Sequence, residues 1–130
     1  MLVIPPPKKP RRGKSIGNAA THAPPAPLTL VAAVYSEVDL TITLTFDRAI
    51  DYTAFNGTQV QVFDPVDNNQ QYLGTGGVIF MAADTIEVQL VSTGAYAGDY
   101  IHLDATAATG IVARDGGAWA GVVDLVLPFP

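Results

Sequence analysis

The chain has 130 residues, 48% of them apolar, with 12 acidic side chains, 7 lysines and arginines and no cysteine. This length fits one compact domain with a single core. The lack of cysteine excludes disulfides and thiolate metal sites, and no apolar run approaches the roughly 18 to 20 residues that a membrane-spanning helix needs. The sequence therefore predicts a soluble domain held together by packing alone.

The charge changes sign along the chain. The first 36 residues carry +5 and no carboxylate, whereas all twelve carboxylates lie from Glu37 onward and oppose only Arg48 and Arg114, a net charge of −10. An acidic body repels phosphate backbones, and a basic segment without aromatic side chains offers only sequence-blind, salt-sensitive attraction. We therefore expect no specific nucleic-acid partner and no membrane partner. A basic tether on an acidic body favours assembly over catalysis.

Residues 1–27 are the first predicted unit, an extended basic arm. They contain seven of the ten prolines, each of which fixes φ and removes an amide donor, so polyproline II is the natural conformation. At about 3.1 Å per residue the arm could reach on the order of 80 Å, enough to cross a neighbouring subunit. Its candidate partner contacts are Lys8, Lys9, Pro10, Arg11, Arg12 and Lys14.

Short motifs in the arm allow several interpretations. Residues 7–12 fit the Pro-x-x-Pro-x-Arg pattern that docks on aromatic grooves, and they also resemble a nuclear import signal. In a bacterium or its virus, the same residues are better interpreted as a charged strap on an acidic neighbour. The Gly-Lys-Ser at 13–15 is not a P-loop, because Lys8 stands where the earlier glycine is required. The apolar residues 1–4 precede the basic segment, the reverse of a signal peptide, so we expect synthesis in a host cytoplasm without export.

Residues 28–130 are the second predicted unit, a β domain. Between residues 38 and 46 apolar side chains alternate with polar ones, the period of a half-buried strand. The side chains expected to share one core are Val38, Leu40, Ile42, Leu44, Phe46, Ile86, Val88 and Leu90. Other strands are predicted at 28–35, 58–63, 77–81, 85–90, 100–104 and 122–127, with a short edge strand at 70–73 and one helical turn at 51–55.

Clusters of glycine, proline, aspartate and asparagine separate these strands, at residues 64–69, 74–77, 98–99 and 115–117. About seven short strands with regular turns over about 100 residues describe an immunoglobulin-like β-sandwich better than a closed barrel. The predicted fold class is therefore all-β, an immunoglobulin-like sandwich of about seven strands that carries an extended proline-rich N-terminal arm.

Four segments carry a family resemblance that covers about residues 28–127. They are a strand ending in Phe46 with a polar turn, a Thr-Ile-x-Val-x-Leu strand at 85–90, a Gly-x-Tyr strand at 98–100 and an Asp-Gly-Gly turn at 115–117. In these segments the chain resembles the bacterial Ig-like domain family of surface-layer and adhesin proteins, which implies a sandwich and little about activity. A single such domain behind a cationic arm also resembles, in layout, a capsid decoration or cement protein of a tailed phage.

The histidines do not identify a catalytic or metal site. His22 lies in the arm, and His102 lies in a predicted strand without a second histidine or a cysteine in the same body to complete a metal site. His102 is therefore interpreted as a surface residue or a hydrogen-bonded cross-strand partner. No residue set identifies a reaction, so the sequence predicts no enzyme activity, no cofactor and no metal.

Two carboxylate pairs fall in predicted turns, Asp47 with Asp51 and Asp64 with Asp67. Calcium takes six to eight oxygen ligands, but the spacing does not match the Asp-x-Asp-x-Asp-Gly pattern of a calcium loop. The simpler interpretation is that Asp64 and Asp67 cap one turn and that Asp115 tightens another through its side chain.

Two functions from different classes fit these observations. The leading hypothesis is a non-enzymatic virion structural protein, whose arm anchors it to an acidic surface of a major capsid protein or another virion protein, beside further copies of itself. The alternative is a module that binds carbohydrate or a host surface through aromatic side chains near loop ends. Those aromatic candidates are Tyr52, Tyr72, Tyr96 and Trp119. For Trp119, burial against the end of the sandwich is the favoured interpretation.

Overall fold

The computed structural model describes residues 23–64, 69–92 and 101–130, and the described part is built from β-strands without an α-helix. Two single turns of 3₁₀-helix, Gly57–Gln59 and Ala107–Thr109, are the other regular elements. The all-β prediction is confirmed. The strands are β1 Leu30–Ser36, β2 Thr41–Phe46, β3 Ile50–Asp51, β4 Val60–Asp64, β5 Asn69–Ala82, β6 Thr85–Ser92, β7 Ile101–Thr106, β8 Val112–Ala113 and β9 Gly121–Leu127.

Seven of these strands form one antiparallel sheet in the order β1-β2-β6-β5-β4-β7-β9, and β3 pairs with β8 in a second, two-stranded sheet. The 14-residue β5 pairs with β4 through its first part and with β6 along most of its length. The two outer strands are also joined. Ala33 in β1 exchanges two backbone hydrogen bonds of 2.5 and 3.1 Å with Phe129, just beyond β9. The residues after β9 therefore lie beside β1, at the other end of the strand order.

The core lies on the apolar face that the sequence predicts for β2. Ile42, Leu44 and Phe46 are at most 1% exposed. The register pairs Ile42 with Val88 and Leu44 with Ile86, and both partners in β6 are fully buried. A one-residue slip would move this whole apolar set to solvent, so the burial pattern fixes the register. The predicted core is confirmed for these residues and for Leu90.

The expectation for Val38 is wrong, because its side chain is 92% exposed. Residues 37–40 form the turn between β1 and β2, in which the Ser36 hydroxyl accepts from the Asp39 amide at 3.1 Å. Leu40 has a positive φ of 55° and is only partly buried, although its carbonyl still accepts from the amide of Leu90 at 2.8 Å. The turn therefore exposes Val38, whereas the side chain of Leu40 still packs against the core.

The glycines at 74–77 do not end a strand, contrary to prediction. The two predicted pieces at 70–73 and 77–81 belong to the single strand β5. A side chain at Gly74 would overlap the carbonyl oxygen of Gly57, so the glycine serves a close approach of β5 to the 3₁₀ turn at Gly57–Gln59. That turn also replaces the first two residues of the strand predicted at 58–63.

Candidate functional site

The base of the predicted arm is held by Arg48, which lies between β2 and β3. Its Nε donates to Asp115 at 2.8 Å, and one terminal nitrogen donates to Asp47 at 3.1 Å and to the carbonyl of Pro27 at 3.2 Å. The other terminal nitrogen donates to the carbonyl of Ala26. One guanidinium therefore ties Ala26 and Pro27, which we call the arm base, to two carboxylates of the body.

The carboxylates that hold Arg48 are themselves positioned by backbone amides. Asp115 accepts from the amide of Gly117 at 2.9 Å, which confirms that Asp115 tightens its own turn. Asp47 accepts from the amide of Thr29 at 3.2 Å, and its own amide donates to the Thr29 carbonyl at 3.0 Å. Asp47, which directly follows β2, therefore also binds Thr29, close to the arm base.

Arg48 and Asp115 keep their charges at neutral pH. The hydrogen bond from Arg48 lowers the pKa of the Asp115 carboxyl below its ordinary value, and the Gly117 amide acts in the same direction. The hydrogen bond to Asp115 is also the main cause that raises the pKa of the Arg48 guanidinium above its ordinary value. This arrangement holds the backbone of Ala26 and Pro27 against two carboxylates of the body.

The candidate partner contacts of the arm, Lys8, Lys9, Pro10, Arg11, Arg12 and Lys14, lie outside the described residues, as does His22. Within the part of the chain that the structure describes, the first residue in a backbone bridge is Leu28, whose amide donates to the carbonyl of Ala118 at 2.8 Å. The division into an arm at 1–27 and a body at 28–130 remains a prediction, and the contacts of Arg48 extend the fastened chain back to Ala26.

Trp119 is not available as a surface for stacking on a sugar ring. It is 5% exposed and packs edge-on against Phe46, with ring centroids 5.5 Å apart. Its backbone forms a bridge with Leu28. The large apolar area of the indole closes the end of the core next to the arm base. Trp119 as a surface-binding aromatic is therefore wrong, and its favoured interpretation as a buried residue is confirmed.

The three tyrosines of the alternative hypothesis are not brought together by the described part of the structure. Tyr52 follows β3 and is partly buried against the core. Tyr72 lies in β5, opposite Val62 of β4 and Ser92 of β6, and its side chain is outside the described part. Tyr96 lies outside the described residues altogether. Of these three tyrosines, Tyr52 is the one whose side chain lies in the described part.

His102 is a hydrogen-bonded cross-strand residue, as one of its two interpretations predicts. It is 8% exposed, its Nδ1 meets a carboxylate oxygen of Asp124 in β9, and its ring packs edge-on on Phe63 with centroids 5.5 Å apart. Sequence reasoning missed Asp124, which has a positive φ of 58° and whose amide donates to Asp104. The only signal available was an aspartate inside an apolar strand.

Of the two carboxylate pairs, Asp47 and Asp51 lie in the described part and do not converge on a cation site. Asp47 is engaged by Arg48 and Thr29, whereas Asp51 accepts from the amide of Thr53 at 3.0 Å. The side chain of Asp64 and all of Asp67 lie outside the described part. Within residues 23–64, 69–92 and 101–130, no group of three or more histidine, aspartate or glutamate side chains could hold a metal ion. The same residues contain no helix long and apolar enough to cross a membrane.

A scan against protein-family models and searches of curated proteins and of solved structures found no match to the chain.

Proposed function

We propose that the chain is a non-enzymatic virion structural protein, a capsid decoration or cement subunit whose N-terminal arm anchors it to neighbouring subunits. The observation that carries this proposal is the Arg48 cluster, which fastens the arm base to a folded acidic body and so gives the arm a fixed point of departure. A free linker would not need its root bound by an arginine that donates to the carbonyls of Ala26 and Pro27 and to the carboxylates of Asp47 and Asp115. An arm that anchors the body to a neighbouring subunit does need such contacts, because they connect the arm to the folded body.

The proposed fold is an immunoglobulin-like sandwich. In such a sandwich the strands of one sheet follow the order A-B-E-D and those of the other follow C-F-G. With β3 and β8 set aside as a two-residue pair, the order β1-β2-β6-β5 followed by β4-β7-β9 matches that scheme, with β5 continuing from one half to the other. This order supports the resemblance to bacterial Ig-like domains independently of the sequence motifs.

Charge supports an acidic protein surface as the partner of the arm. The first 36 residues contain five cations and no carboxylate, so the counter-charges of the arm lie on the acidic body or on another molecule. An acidic face of a major capsid protein or of another copy of this chain offers them. Many such arms on one particle would combine weak contacts into lasting attachment, because each bound arm raises the local concentration of the next.

The rival function, a module that binds carbohydrate or a host surface through clustered aromatic side chains, loses its main candidate with the burial of Trp119. That burial also makes tryptophan fluorescence a poor reporter of sugar binding. A ligand that binds near Tyr52 must be detected by other means.

Co-sedimentation with virus particles that lack the chain tests the proposal. The full chain is compared with a truncation that lacks residues 1–22, which keeps the arm base and its contacts with Arg48. We expect the truncated protein to keep its melting temperature and to lose particle binding. Unaltered binding by the truncated protein would contradict the role of the arm.

A second variant separates charge from the rest of the arm. Neutralising Lys8, Lys9, Arg11, Arg12 and Lys14 together should weaken binding less than truncation does, and the effect should shrink as salt rises, because exposed ion pairs contribute less than about 1 kcal/mol each. As a control, Asp39, whose exposed carboxylate in the β1–β2 turn accepts from the Ser36 hydroxyl, is replaced by asparagine, which should leave binding unchanged.

A further inference from the structure

A cleft of about 460 Å³ opens on the body beside the two-stranded sheet of β3 and β8, and no role in arm attachment involves it. Its lining residues are Ile50, Asp51, Tyr52, Thr53 and Arg114. This volume falls within the range of about 300 to 1,000 Å³ that small-molecule sites occupy. The cleft combines an aromatic ring, a carboxylate, a hydroxyl and a guanidinium within five residues.

The walls of the cleft are held by backbone hydrogen bonds. Asp51 of β3 pairs with Val112 of β8, and the amide of Arg114 donates to the carbonyl of Ala49 at 3.0 Å. On the other wall, the amide of Phe55 donates to the carbonyl of Tyr52 at 2.9 Å and closes a turn. A ligand would therefore meet side chains whose backbone is already in place, which reduces the entropy lost on binding.

A glycine packs the turn of Tyr52 against the body. Gly110 has a φ of +83°, and a side chain on it would overlap the carbonyl oxygen of Ala54. Farther along the same turn, the amide of Asn56 donates to the carbonyl of Thr109 at 2.6 Å. Together they hold the residues after Tyr52 against the 3₁₀ turn at Ala107–Thr109.

Arg114 is engaged very differently from Arg48. Its Nε donates to the carbonyl of Ile50 at 3.2 Å, which fixes the guanidinium beside the cleft. Among the described residues no carboxylate comes within ion-pair distance of Arg114, whereas Arg48 has two such partners. The terminal nitrogens of an exposed, oriented guanidinium are donors for a hydroxyl or carbonyl oxygen.

Asp51 supplies an acceptor on the same cleft. One of its oxygens accepts from the amide of Thr53 at 3.0 Å, and this hydrogen bond lowers the pKa of the carboxyl. The group is therefore ionised at neutral pH, and a carboxylate has lone pairs for further hydroxyl groups. Hydrogen bonds to a charged group are stronger than those between neutral groups.

From this arrangement we propose that the cleft binds a neutral sugar, with Asp51 accepting from its hydroxyl groups, Arg114 donating to its oxygens and Tyr52 covering its apolar C–H face. Tyrosine suits this last role, because its ring is an amphipathic surface with a polar tip. Asp51 and Arg114 balance each other in charge. An anionic ligand would meet both the Asp51 carboxylate and a body with a net charge of −10.

The test is a titration of the ¹⁵N-labelled full chain with glucose, galactose, mannose and N-acetylglucosamine in turn, followed by amide chemical shifts, with glycerol as the control. We expect at least one sugar to move the amides of Thr53 and Arg114 in a saturable way, with a Kd of about 1 to 10 mM, as befits a ligand of about twelve heavy atoms. Glycerol should produce no saturable shift.

Three variants test the assigned roles. In Asp51→Asn the amide oxygen can still accept from Thr53, but the charge is lost, and the affinity should fall about tenfold because a hydrogen bond to a charged group is replaced by one to a neutral group. Arg114→Lys keeps the charge but not the planar fork and should weaken binding severalfold. Asp39→Asn makes the same charge change in the β1–β2 turn and should leave the affinity unchanged.

The proposal is overturned if none of the four sugars gives a saturable shift up to about 100 mM, ten times the upper end of the expected Kd range. It is also overturned if Asp51→Asn and Arg114→Lys bind as tightly as the Asp39→Asn control. Tighter binding of N-acetylneuraminate than of every neutral sugar would contradict the assigned class of ligand. Because the experiment uses no virus particle, its result is independent of the role of the arm.

Discussion

Two valines of the predicted body test the core most sharply, because the sequence pattern predicts that both are buried and the structure buries only Val88. Val88 in β6 is fully buried opposite Ile42, whereas Val38 in the β1–β2 turn is 92% exposed. Replacing either by alanine removes the same two methyl groups. The chemical change is identical, so any difference in stability reports the environment.

The expected difference follows from burial. At about 0.8 kcal/mol for each buried carbon, Val88→Ala loses about 1.6 kcal/mol of transfer free energy, and the cavity that remains raises the cost to about 2 to 3 kcal/mol. Val38→Ala should change the free energy of unfolding by less than about 0.5 kcal/mol, as exposed substitutions usually do. For a domain of about 100 residues the first change lowers the melting temperature by about 10 to 20 °C.

Urea unfolding of the full chain, followed by circular dichroism, measures both variants against the parent. Equal m-values would show that the variants differ in stability and not in the extent of unfolding. If Val38→Ala costs as much as Val88→Ala, the strand alternation extends through residue 38 and the turn at 37–40 is misplaced. If neither variant is destabilised, β6 does not face the core.

Further outcomes follow from individual contacts. Leu44→Ala should cost about 2 to 5 kcal/mol in urea unfolding, because Leu44 is fully buried; a cost below about 1 kcal/mol would contradict its place in the core. Gly110→Ala should destabilise by more than about 1 kcal/mol in the same assay, since its φ of +83° and the nearby Ala54 carbonyl exclude a side chain, and a neutral effect would contradict that turn. Arg48→Met should speed hydrogen exchange at the amides of Leu28 and Thr29 relative to the other strand ends, and unchanged exchange would mean that Arg48 does not fasten the arm base. The lowered pKa of Asp115 stabilises the fold above its ordinary pKa of 3.8, and this contribution is lost as the pH falls through the lowered value. Below pH 4 the melting temperature should therefore fall less steeply with decreasing pH for Asp115→Asn than for the parent. The same dependence of melting temperature on pH in both proteins would contradict the ion pair.

The sequence predicted the strands in which apolar and polar side chains alternate regularly. Alternation identified β2 and its partner β6, because burial of one face requires a period of two. It could not locate the start of β2, since Val38 and Leu40 keep the period while the Ser36 and Asp39 side-chain contacts impose a turn. β3 and β8 were missed because two-residue strands have no period.

The structural role of glycine was the hardest feature to predict from the sequence. Gly74 looks like a turn residue, and in the fold it lies inside β5 where the backbone of Gly57 comes close. A glycine that serves a turn and one that serves a close approach have the same local sequence signature. Only the position of a distant segment distinguishes the two.

The candidate sites depended on contacts far apart in the chain, which a pattern cannot supply. Arg48 reaches Asp115 across 67 positions and Pro27 across 21. Arg114 and Tyr52 line one cleft only because β8 pairs with β3. The sequence identified Tyr52 and Asp115 as candidates from residue type, but it could not identify their partners.

Quantitative mass spectrometry of purified virus particles from the source of this chain tests the central claim most directly. As a structural subunit, the chain should be present in every particle in a fixed ratio to the major capsid protein, and salt washes that leave the capsid intact should not remove it. Its absence from purified particles, or its presence only in trace amounts that vary between preparations, would contradict the proposed function.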